Sequence, residues 1–158
     1  MTQTRNLQTL WWEWIGTSER LVRALHEQTA AIMLRDIERL EELQPNIERL
    51  MQSLREADEQ ATEAAQRLAE DLGATKPGLR GLLERISDPK EAEQLQALAN
   101  RVRVAAQTIQ GLVRKNEALI ENELAYIGGT LHLLAQSAQQ KGPYQAADRA
   151  AVLMDEVA

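Results

Sequence analysis

The chain has 158 residues, no cysteine and a formal net charge of −6. That length suits one domain with a core of its own, the missing cysteine excludes disulfides, thiolate nucleophiles and sulfur-ligated metals, and the acidic balance argues against general nucleic-acid binding, which depends on Lys and Arg neutralising phosphates. Phenylalanine is absent while Leu, Ala, Gln, Glu and Arg dominate, a composition suited to long helices rather than sheets.

The opening Met1-Thr2-Gln3-Thr4-Arg5 lacks the apolar core of a secretory signal, and no uncharged apolar run reaches membrane-spanning length, so a cytoplasmic location without membrane insertion is expected. A first long helix is expected near residues 4–43, with Leu7, Leu10, Trp14, Leu21, Leu25 and Ile32 on its inner side. Trp11 and Trp14 share that face and read as core; Trp12 points away, where a tryptophan suits recognition. His26 stands without the partners that metal binding or general-base work require, so it reads as a surface or packing residue. The apolar phase shifts near Ile32-Met33-Leu34, and Arg35-Asp36 is a possible restart. Pro45 costs about 3 kcal/mol inside an unbroken helix, so a kink or break is expected at Gln44.

A second long helix over 45–72 carries Ile47, Leu50, Leu54, Ala57, Ala61, Ala64 and Leu68 at seam spacing, with Gly73 as its C-cap. Residues 76–86 form a short helix whose Leu79, Leu82, Leu83 and Ile86 are suited to covering the end of a bundle. Asp88-Pro89-Lys90-Glu91 then offers an N-cap, a proline at the first helical position and a glutamate able to reach back. The third long helix, 89–140, has a seam through Leu95, Leu98, Val102, Ala105, Ile109 and Leu112, with Asn116 next in line, either buried and fixing register or at the seam's edge. The stripe then continues through Ile120, Leu124, Ile127, Leu131 and Leu134. Leu119, Tyr126 and Leu133 make a second line about a hundred degrees away. Its partner is another helix of the same chain or another protein. Gly128-Gly129 lowers helical stability locally. A lysine, glycine and proline at 141–143 end the helix, and the tail 141–158 is expected to be mobile.

The expected fold is therefore all-α: a single helical domain built as an elongated antiparallel bundle of long helices with coiled-coil-like packing. Phosphate-cradling glycine loops, zinc-ligand spacings and nucleophile elbows are absent from the sequence. Neither histidine follows a glutamate at three residues, as dimetal bundles require. No enzyme activity, cofactor or metal is expected.

Asn116-Glu117-Ala118-Leu119-Ile120, Leu124, Tyr126-Ile127, Leu131-His132-Leu133-Leu134 and Gly142-Pro143-Tyr144, in that order on one long helix and its stop, resemble the C-terminal half of the FlgN-like flagellar export chaperones. Residues 116–144 carry the resemblance best, and Leu25 to Leu54 looks similar. The resemblance implies an all-helical cytosolic chaperone of flagellar type III export. Such a protein holds the C-terminal helical segments of hook–filament junction (hook-associated) proteins, prevents their premature assembly and delivers them to the export gate. The positions matching the family's cargo-binding region are Leu119, Leu124, Tyr126, Ile127, Leu131 and Leu134, and Tyr144 stands where the family's gate-docking tyrosine does. After Tyr144 the chain departs from the family's glycine-containing turn. The alternative reading of the residues is a self-associating structural or adaptor coiled coil.

Overall fold

The computed structural model describes residues 4–76 and 78–141. These form four helices, α1 (Arg5–Met33), α2 (Ile37–Asp71), α3 (Gly78–Arg85) and α4 (Pro89–Lys141), with no strand among the described residues. The fold is all-α, with long helices packed against each other. The chain divides into two compact units, Met1–Asn116 and Glu117–Ala158, and α4 contributes to both.

In the first unit, helix direction follows from which residues share a core. Leu7, near the start of α1, packs with Ala61 and Leu68 of α2 and Leu95 of α4. Trp14 and Ile15 in the middle meet Leu54, Ala57, Leu98 and Val102. Leu21 and Leu25, further on, meet Leu43, Ile47 and Ile109. As α1 advances, its α2 partners fall in number and its α4 partners rise. Hence α2 runs antiparallel to α1, and α4 runs parallel to it. Two polar contacts fix that parallel register: Thr4 on Glu91 and Thr29 on Asn116 are each 87 residues apart in sequence. A constant separation means that α1 and α4 do not slip past one another over about seven turns.

α1 ends where the sequence reading placed only a possible restart. Arg35 adopts a left-handed backbone with φ 54°, its N–H donates to Ile32 O, and the N–H of Asp36 donates to Ala31 O at 2.9 Å. These are the two bonds of a Schellman stop. Asp36 then caps α2, its side chain accepting from the N–H of Arg39 at 3.0 Å. Arg39 straps the corner through Glu27 of α1 and Glu42 of α2. The break expected at Gln44 is corrected accordingly: the chain turns at Leu34–Asp36, and α2 runs unbroken through Pro45. Leu43 and Ile47 are both buried on either side of the proline. Burying two such side chains stabilises by about 1.5–3 kcal/mol each, enough to offset the missing bond.

Gly73 ends α2 as expected, at φ 68° with Ala74 N–H donating to Ala69 O. α3 closes that end of the core with Leu82, and Ile86 follows it. Gly81 is pressed so closely to the carbonyl of Lys76 that a Cβ would lie 2.0 Å from its oxygen. At the start of α4, Asp88 accepts from the N–H of Lys90. Glu91 does not reach back along its own helix. It is buried and accepts from both the N–H and the hydroxyl of Thr4, at 3.0 and 2.6 Å.

Candidate functional site

The last feature of the first unit is Asn116, which is buried rather than at the seam's edge. Its amide donates to Leu25 O at 3.0 Å and to Gln28 Oε1 at 2.8 Å, and its Oδ1 accepts from the Thr29 hydroxyl at 2.6 Å. Every hydrogen-bonding atom of the asparagine side chain is thus engaged by α1. This is the polar layer that keeps α1 and α4 in register. α1 ends at Met33, four residues beyond Thr29, and its register with α4 ends with it.

In the second unit, α4 has two distinct apolar faces. Leu119, Glu123, Tyr126, Thr130 and Leu134 are half-buried and Ser137 is buried, at steps of three or four. That is one covered face. Displaced from it by about a quarter turn at 3.6 residues per turn lies a line in the open: Ile120 is 36% exposed, Leu124 63%, Ile127 50% and Leu131 61%. Leu133, 44% exposed, borders the covered face on its other side. The two lines expected from sequence are thus each divided, with Leu133 of the second line exposed and Leu134 of the main stripe half-buried. Leu119 and Tyr126 belong to the covered face, and the surplus apolar surface is the continuation of the main stripe.

Of the residues singled out from sequence, the structure brings Leu124, Ile127 and Leu131 together on the open face. Leu119, Tyr126 and Leu134 lie on the covered one. Tyr144 lies outside the described residues. Ile120, which is not among the family-matched positions, joins the open line. Its spacing from Leu124 and Ile127 was a usable signal.

No group of three His, Cys, Asp or Glu able to hold a metal occurs among the described residues, and no described helix is long and apolar enough to cross a membrane. His26 is exposed. Trp14 is buried and Trp11 half-buried, while Trp12 is exposed with the Arg101 guanidinium 4.8 Å from its ring centroid. A groove of about 340 Å³ between α1, α2 and α3 is lined by Trp11, Ala61, Ala65, Leu79 and Leu82, with Asp58 its one ionisable lining residue. What the described residues of the second unit offer is an apolar helix face.

The family model described as FlgN protein matches residues 1–151. The chain belongs to the FlgN family. No curated protein and no solved structure matches it. Membership in the FlgN family makes this chain a flagellar export chaperone, from a family of binding proteins rather than enzymes, whose role is to engage substrates of flagellar export. For a FlgN-family chaperone, an apolar helix face left in the open is where binding is to be sought.

Proposed function

We propose that the protein acts in the cytoplasm as a chaperone for hook–filament junction proteins. It binds their C-terminal helical segments, keeps them from assembling prematurely and delivers them to the export gate. The observation that carries this reading is the open line Ile120, Leu124, Ile127 and Leu131 on a member of the FlgN family. An amphipathic cargo helix laid along that line would bury its own apolar seam and extend the bundle by one helix. Leu119, Tyr126 and Leu134, half-buried on the same segment, are the remaining positions assigned to cargo binding. Tyr144 is assigned to docking at the gate.

A few hundred square ångströms of apolar contact offer several kcal/mol at roughly 25 cal/mol/Å², less the cost of ordering the cargo. Binding of that strength is reversible, as handover requires. No nucleotide, metal or nucleic acid enters the scheme.

The test is capture of junction-protein C-terminal peptides by the full chain. Leu124→Asp with Leu131→Asp places two charges on the open face and abolishes capture; unchanged capture rejects this surface. Sedimentation of the protein alone separates the reading from self-association through the same line, since an obligate oligomer that buries Leu124 and Leu131 leaves no face for cargo.

A further inference from the structure

The open face of α4 has a shape and a charge pattern that specify more than greasiness. Leu124, Ile127, Gly128 and Leu131 stand at positions i, i+3, i+4 and i+7, the four corners of a hole into which a coiled-coil partner inserts one side chain. Three corners are large and exposed. The fourth is a glycine, and a Cβ built on it would meet nothing within 4 Å. The hole is therefore open at one corner, toward the side of the helix where Gly128 lies, and admits a bulkier knob than four full-sized corners would.

Along the ridge that passes through Gly128 toward the N-terminus stand Glu121 and Glu117, both exposed. Neither makes an ion pair among the described residues. Residues 116–140 contain no lysine or arginine, and the nearest cation on that side of α4, Arg114, pairs with neither carboxylate. Glu121 and Glu117 thus line the approach to the hole on the Gly128 side, while the half-buried Glu123 stands at its other edge.

Given the cargo-helix reading above, we propose that the hole Leu124–Ile127–Gly128–Leu131 takes one large apolar side chain, phenylalanine or leucine, from an amphipathic helix that carries Lys or Arg about seven and eleven residues from that knob. The spacing follows from geometry. Glu121 and Glu117 lie roughly 10 and 16 Å along the axis from the hole's centre at 1.5 Å per residue, and a partner helix has the same rise. Steps of seven and eleven are two and three turns, so they keep the cations on the knob's side.

The experiment uses the full chain and two synthetic peptide helices with a leucine seam and a central phenylalanine. One carries lysines at seven and eleven residues from the phenylalanine, the other glutamates; fluorescence anisotropy gives Kd. The lysine peptide is expected to bind about three- to tenfold tighter at low salt, the range of a pair of exposed ion contacts, with the ratio shrinking as salt is raised. Glu117→Lys with Glu121→Lys reverses the order. Gly128→Leu weakens binding of the lysine peptide about tenfold or more by filling the hole, although it adds apolar surface and raises helix propensity. Gly129→Leu gains the same propensity on a different side of α4 and leaves Kd unchanged. Equal binding of the two peptides overturns the charge assignment, and unchanged or tighter binding by Gly128→Leu overturns the hole. If Leu124→Asp with Leu131→Asp also leaves binding intact, the cargo face itself fails. If that double variant abolishes binding while Gly128→Leu does not, the face stands and only the hole is wrong.

Discussion

Asn116 and Glu91 do at single positions what a helix seam alone does not. Leucine seams are tolerant of sliding by a heptad, because one leucine layer packs much like the next. A buried amide whose partners lie at one level of α1 is not tolerant, since sliding strands it without hydrogen bonds at a cost of about 1–3 kcal/mol. Thr29→Val keeps the shape but removes the donor to Asn116 Oδ1, and is expected to destabilise by about 1–2 kcal/mol in urea unfolding. Asn116→Ala is expected to cost more, about 2–3 kcal/mol, because a small cavity adds to the lost bonds. If both variants unfold at the wild-type midpoint, the polar layer contributes nothing to the register. At the other end, one carboxylate oxygen of Glu91 accepts from both hydrogen-bond donors of Thr4, its N–H and its hydroxyl.

The elements of the fold were legible in sequence wherever the signal was a residue type with one dominant meaning. Gly73 as a helix stop, Pro89 as a first helical residue, and the seam from Ile47 to Leu68 all stand as read. The turn between α1 and α2 was not, because its left-handed residue is an arginine. That conformation normally announces itself as glycine, and Arg35 gave no such notice, whereas Pro45 signalled a break that burial of Leu43 and Ile47 overrides. Arg35→Gly is expected to stabilise the chain by about 1 kcal/mol by relieving the left-handed penalty, read as a higher urea midpoint with unchanged slope. A lower midpoint would mean that the arginine side chain contributes more than its backbone costs. Glu91 was misread for a related reason: a capping box is a local pattern, and the residue serves a contact 87 positions distant. The site was half legible. Periodicity found both apolar lines of the last helix, yet it has no means of saying which one the fold covers, because both repeat every three to four residues.

For the molecule as a whole, the two units should differ in how they open. The first shares its core among all four helices, so its amides at the centre of α1 and α4 are expected to exchange with solvent only through global unfolding. In the second, the open line of α4 and the pair Gly128-Gly129 leave the backbone with fewer apolar contacts. Native-state hydrogen exchange is expected to show protection falling from Ala105 to Gly129, and a bound cargo peptide is expected to restore it between Leu124 and Leu131. Uniform protection along α4, with no change on adding peptide, would contradict this. The parallel pairing of α1 with α4 also has a consequence during synthesis. At 5–20 residues per second, each residue of α1 leaves the ribosome about 4–17 s before the one it will sit beside. Once α2 has emerged and until α4 follows, the nascent hairpin of α1 and α2 has a vacant flank lined by Leu7, Trp14 and Leu21, so the newborn protein passes through a stage in which it too has need of shelter.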